Sequence, residues 1–149
     1  MKVSKEFDFE AAHFLPHYHG KCERLHGHSY KLIVTVEGDI EPESGMVIDF
    51  VILKKIVKER IIEKLDHYLL NDLMENPTAE NTIVWMWEQL SPLSEILKQE
   101  NTSDDLPEEA EKIMADKEKP HKKNVPTDVK LAELKLWETA KSWVTYDGK

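Results

Sequence analysis

With a single cysteine, the chain cannot form an intrachain disulfide, which excludes the cross-linked frameworks of small secreted domains. No apolar run approaches the eighteen or so residues of a membrane helix, so no membrane partner is expected. The opening Met1-Lys2-Val3-Ser4-Lys5-Glu6 lacks the apolar core of a secretory signal, and the expectation is a cytoplasmic protein. Basic residues are also scarce: 20 Lys and Arg stand against 29 Asp and Glu, a formal charge of −9. That balance argues against a broad nucleic-acid surface, which needs clustered cations against phosphate. It leaves room for a small anionic substrate held by two or three local cations. There are no internal repeats, and 149 residues make one domain, 1–149, with enough chain to bury a core.

Histidine, by contrast, is concentrated. The stretch His13 to His28 holds five of the 7 histidines together with the lone Cys22. Along residues 2–14, Val3, Phe7, Phe9, Ala11 and His13 share one parity and the polar residues the other, the period of a half-buried strand. Lys5 is the one exception on the apolar side. Pro16 and Gly20 bracket a loop, and a second strand is expected from about His26 to Gly38. There His28, Tyr30, Leu32, Val34 and Val36 face one way. Residues two apart on a strand share a face, so His26 and His28 project together, roughly 6.5–7 Å apart.

Three imidazoles, His13, His26 and His28, therefore converge from two strand ends. Such a set leaves one tetrahedral position open, the pattern of catalytic rather than structural zinc. The bland alternative for a His-x-His pair is surface chemistry. The third histidine, on the core-facing parity, weighs against it. His17 and His19 read as solvated loop residues, and His121 as a surface residue. Cys22 is either an inert thiol or, between Lys21 and Arg24 and beside a cation, a thiolate able to move protons.

Farther on, Met46-Val47-Ile48 reads as a short strand, and Asp49 as the N-cap of a helix reaching about Lys64. Asp66-His67 follows, either a second acid–base pair or a helix end. Thr78 or Asn76 caps a helix from about Ala79 to Leu90, and Pro92 breaks or restarts it. Residues 100–128 carry nine acids, five bases and three prolines, so the segment at about 98–129 reads as a solvated insertion, with a short helix possible at 107–117. Two strands close the chain, about 130–138 and 142–146, joined by a tight hairpin. Their blurred alternation reads as burial on both faces.

These residues resemble the 6-pyruvoyl-tetrahydropterin synthase / 6-carboxy-5,6,7,8-tetrahydropterin synthase family. The likeness rests on Phe9-Glu10-Ala11-Ala12-His13, Cys22-x-x-x-His26-Gly27-His28 and Gly45-Met46-Val47-Ile48-Asp49-Phe50. It continues through Leu65-Asp66-His67, Leu70-Asn71-Asp72, Glu75-Asn76-Pro77-Thr78-Ala79-Glu80, and Glu138-Thr139 with Tyr146. The resemblance implies an α+β tunnelling fold (T-fold): a four-stranded antiparallel sheet with two helices, closed into an oligomeric β-barrel, a homohexamer. It implies Zn2+ on His13, His26 and His28, with Cys22, Asp66 and His67 moving protons. Glu138 would grip the guanidine-like edge of a pterin; the position of Lys21 and Arg24 beside Cys22, rather than the resemblance, suggests them as the cations near the triphosphate. The implied reaction converts 7,8-dihydroneopterin triphosphate to 6-carboxy-5,6,7,8-tetrahydropterin, with release of acetaldehyde and triphosphate, the queuosine-type branch. The spacing from Cys22 to His26 is similar to that branch. Glu23 is similar to relatives of folate type, which cleave the side chain to 6-hydroxymethyl-7,8-dihydropterin. The biopterin-type 6-pyruvoyl product and a pterin-binding module without turnover are the further alternatives.

Overall fold

A computed structural model describes residues 1–100 and 128–149 of the chain. Its sheet is built from β1 (Lys2–His13), β2 (His26–Glu37), β3 (Tyr68–Leu69), β4 (Lys130–Thr139) and β5 (Ser142–Tyr146), in the order β3-β1-β2-β4-β5. All neighbours are antiparallel except the two-residue β3, which runs parallel to Ala11 and Ala12 of β1. The four expected strands are present, and β3 is a fifth that its length hid from any periodicity argument. Within one chain the sheet is open, with β5 and the N-terminal part of β1 at its edges.

Among the described residues, the helices pack on one face of the sheet. Helix α1 (Phe50–Val57) continues through a π-helical turn (Lys58–Ile62) into α2 (Glu63–Leu65); α3 (Ala79–Leu90) and α4 (Leu93–Glu100) follow. Asp49 Oδ1 accepts from Val51 N at 2.7 Å and Thr78 Oγ1 from Asn81 N at 3.2 Å, so both expected caps form. Pro92 restarts the helix as α4. The core packs Phe9, Tyr30, Leu32, Val34, Leu134 and Leu136 of the sheet against Leu53, Ile56, Ile61, Met86 and Leu97 of the helices. Lys5, the exception in β1, keeps its place by laying its ammonium 5.5 Å from the Phe50 ring centroid.

Two expectations are corrected. Met46-Val47-Ile48 is not a strand: it leaves a turn where Gly45 takes φ +69 and the Glu41 carboxylate accepts from Glu43 N and Ser44 N. Val47 and Ile48 are apolar because they are buried in the core, not because they pair. Nor is β4 buried on both faces. Thr35 pairs with Glu133 but Val36 pairs with Leu131, so Ala132 is an extra residue. That bulge shifts the parity and lets Leu131 join Leu134 and Leu136 on the helix side. Of the insertion expected at about 98–129, the described ends are ordered: α4 runs to Glu100, and Val129 is buried with its carbonyl accepting from Ser94 Oγ at 2.9 Å. The helix expected at 107–117 and His121 lie outside the described residues.

One side chain carries β1 past its last paired residue. Asn71 accepts from Phe14 N and donates to Phe14 O, both at 3.0 Å, which pins the chain immediately after His13. Asn71→Ala strands both backbone groups in a half-buried position and is expected to lower unfolding stability by about 1–3 kcal/mol. Urea denaturation measures this, and an unchanged midpoint would contradict it.

Candidate metal centre and proton-transfer groups

Strand register assembles the histidines. His13 lies opposite His26 and Ala11 opposite His28 in the β1–β2 ladder. The three ligand nitrogens fall within 4.8 Å of one another, so the three imidazoles can hold one metal ion. Gly27 keeps the strands close here, since a Cβ at that position would stand 3.3 Å from the Ala11 carbonyl oxygen.

The hydrogen bonds around the rings decide which nitrogens are available. His13 Nδ1 is 2.8 Å from the Pro77 carbonyl oxygen, and His26 Nδ1 is 2.7 Å from that of Arg24. A carbonyl can only accept, so both Nδ1 atoms carry the proton and donate. In the neutral rings both Nε2 atoms are then bare lone pairs. They nevertheless face each other at 3.1 Å. Two lone pairs at that distance repel unless a proton or a cation lies between them. The third nitrogen, His28 Nε2, is buried and has no hydrogen-bond partner. Burial holds His28 below its ordinary value of 6.5; the Glu138 carboxylate opposes that shift, while His13 and His26 add to it. That direction favours the neutral form of His28, the form in which imidazole ligates. Convergent lone pairs, carbonyl-locked tautomers and one orphaned nitrogen suit a divalent metal.

Glu138 joins this cluster. Trp137 pairs with Trp143 but Thr139 with Ser142, so Glu138 is the extra residue of a second bulge in β4. Its Oε1 stands 3.7 Å from His13 Nε2 and 3.9 Å from His28 Nε2, with the side chain 26% exposed. The same carboxylate adds to burial in pushing the Tyr30 phenol well above its usual value, so that hydroxyl stays protonated.

The second group of candidates meets the first at His28. Asp66 Oδ1 accepts from Glu10 N and from His67 Nδ1, each at 2.9 Å, and His67 N donates to the Glu10 carbonyl at 2.6 Å. His67 takes φ +64, an uncommon conformation for a side-chain-bearing residue, which makes the corner from α2 into β3. It lines an open groove of about 420 Å³ with Glu10, Ala12, Gly27, His28 and Ser29. Ser29 Oγ donates to Glu10 Oε2 there at 2.9 Å. Glu10, Ala12, Gly27 and Ser29 have the strand parity opposite to that of the metal-cluster histidines.

Cys22 is half-buried in a 3-10 turn (Lys21–Glu23), where its carbonyl accepts from Leu15 N at 2.9 Å. Lys21, Glu23 and Arg24 are exposed on the same turn. Among the described residues, no side-chain hydrogen bond or ion pair joins Cys22 or His67 to the three imidazoles. His17 and His19 are exposed bystanders, His17 standing 3.8 Å from Glu75 Oε1. Sequence reasoning missed the carbonyls of Pro77 and Arg24, which carry no residue-type signal. It also missed Asn71 as a clamp and Glu10 with Ser29 as groove residues.

Asp66 gives a pH signature. The Glu10 amide is the main reason its carboxyl lies below the ordinary 3.8, with His67 adding to it. A folded value below the unfolded one contributes stability above the unfolded value, lost as pH falls through the folded one. Acid unfolding should therefore steepen below pH 3.8, and Asp66→Asn should flatten that part of the curve. Superimposable acid curves for the two proteins would contradict it.

The 6-pyruvoyl tetrahydropterin synthase family model matches residues 2–106. Over 94 residues the chain is 47% identical to 6-carboxy-5,6,7,8-tetrahydropterin synthase of Synechocystis, covering 59% of this chain and 73% of that one. It is 36% identical over 130 residues to dihydroneopterin monophosphate aldolase of Pyrococcus furiosus, covering 87% and 82%. The structure of 6-pyruvoyl tetrahydropterin synthase from Caenorhabditis elegans superimposes with a TM-score of 0.69 at 24% identity, over 100% of this chain and 96% of that one. The T-fold architecture is thus shared. A family model spanning most of the chain, and an aligned relative along nearly all of it, agree on one conclusion: the chain belongs to the 6-pyruvoyl tetrahydropterin synthase family of enzymes.

Proposed function

We propose that the chain is a zinc-dependent enzyme converting 7,8-dihydroneopterin triphosphate to 6-carboxy-5,6,7,8-tetrahydropterin, with release of acetaldehyde and triphosphate. The observation that carries this reading is the convergence of three imidazoles whose tautomers leave Nε2 free, in a chain whose Synechocystis relative bears that product's name. His13, His26 and His28 would hold the zinc, which when bound supplies a Lewis acid for the oxygens of the substrate side chain.

The chain's own groups supply the proton traffic. His67 donates from Nδ1 to Asp66, so Nε2 is the atom that takes up or delivers a proton. Asp66 is held as a carboxylate by the Glu10 amide and orients the ring; it is not itself the carrier. Cys22 Sγ serves as the second proton-transfer group. Glu138 grips the guanidine-like edge of the pterin through paired hydrogen bonds, and Lys21 and Arg24 attract the triphosphate. The open sheet edges favour closure between copies into a homohexameric barrel. No described helix is long and apolar enough to cross a membrane, and the lone cysteine supports a cytoplasmic setting.

A second reading has its own support. Glu23 follows Cys22 on the same turn, and the relative from Pyrococcus furiosus is named an aldolase. On that reading Glu23 takes part in cleaving the side chain to 6-hydroxymethyl-7,8-dihydropterin. Incubation with dihydroneopterin triphosphate and chromatographic identification of the pterins separates the two. The leading reading predicts the 6-carboxy product, unaffected in identity by Glu23→Gln. Only the 6-hydroxymethyl product, lost on Glu23→Gln, would replace it with the second. Cys22→Ala should slow turnover by about 10²–10⁴-fold. An unchanged rate would remove Cys22 from the chemistry, and no product of any kind would favour a binding module.

A further inference from the structure

Glu138 stands beside the imidazole cluster. Its Oε1 is 3.7 and 3.9 Å from two imidazole nitrogens, too far for a hydrogen bond to either. The same oxygen is the carboxylate atom near His28 Nε2, a buried atom without a hydrogen-bond partner. The β2–β4 ladder puts it there: Lys31 lies opposite Trp137 and Leu32 opposite Leu136, so Glu138 shares the face of Leu136, Tyr30 and His28.

The spacings have a simple meaning. Around tetrahedral zinc with bonds of 2.0–2.2 Å, neighbouring ligand atoms lie about 3.4 Å apart. His13 Nε2 and His26 Nε2 are 3.1 Å apart, and Glu138 Oε1 stands at 3.7 and 3.9 Å from His13 and His28. An acceptor one hydrogen bond beyond the inner ligands would stand farther from the ring nitrogens than this. We propose that in the substrate-free protein Glu138 is the fourth ligand of the metal, closing the position that the three histidines leave open. This rests on the metal reading given above. Its consequence is an exchange: substrate oxygens take the metal position, and the released carboxylate becomes free for the guanidine edge at the other end of the pterin. One carboxylate then both protects the empty site and reports its occupation.

Cobalt makes the coordination visible without any turnover. The full chain, stripped with a chelator and reloaded with one equivalent of Co2+, is titrated with azide while its visible bands are followed. In the wild type, Glu138 should compete with azide, so azide binds weakly. Glu138→Gln and Glu138→Ala should still take up Co2+, with affinity lower by at least the about ten- to hundredfold expected when a supporting group is removed. Both should bind azide at least about tenfold more tightly than the wild type, and Glu138→Asp should fall between. Using a carboxamide as well as a truncation guards against a variant that misfolds, with circular dichroism as the check. Equal Co2+ and azide affinities in wild type and both variants would overturn the Glu138 assignment while leaving the histidine site standing. Failure of the wild type itself to bind Co2+ would overturn the metal reading, and this proposal with it.

Discussion

Two hydrogen bonds from histidine Nδ1 atoms to backbone carbonyls determine what the rest of the site can be. Pro77 and Arg24 supply those carbonyls, and neither side chain takes part. By holding the Nδ1 protons they turn the Nε2 lone pairs of His13 and His26 toward one another, an arrangement that is unfavourable until a cation enters. Much of the fold serves this geometry. The helix cap at Thr78 places the Pro77 carbonyl, Asn71 clamps Phe14 so that His13 cannot fray from β1, and Gly27 brings β2 close enough for the rings to converge.

A second division of labour runs through the sheet. Residues of one parity in β1 and β2 face the helices and, at the strand ends, the metal cluster. Those of the other parity, Glu10, Ala12, Gly27 and Ser29, line the groove shared with His67. Asp66 bridges the two systems. Its carboxylate binds the His67 ring and, through the Glu10 amide, the strand that carries His13.

What could be read from residues alone followed from period and caps. Alternation in β1 and β2 was enough to separate His13, His26 and His28 from the bystanders His17 and His19, because a strand's period of two leaves no freedom about which side chains share a face. Asp49 and Thr78 announced their helices through chemistry local to the cap. Other features depend on partners distant in sequence. The bulge at Ala132 makes β4 look buried on both faces, because it shifts the parity of Leu131 against Leu134 and Leu136. Val47 and Ile48 resembled a strand because burial, not pairing, selects apolar residues there. A carbonyl that locks a tautomer leaves no trace in residue type at all.

The central claim is that His13, His26 and His28 form one metal site whose tautomers are set for ligation. Zinc content of the purified full chain, measured by elemental analysis after dialysis against zinc and then against metal-free buffer, tests it most directly. The account predicts about one zinc per chain, lost in His28→Ala while the fold persists. A wild-type chain that retains no zinc and takes up none on addition would contradict it.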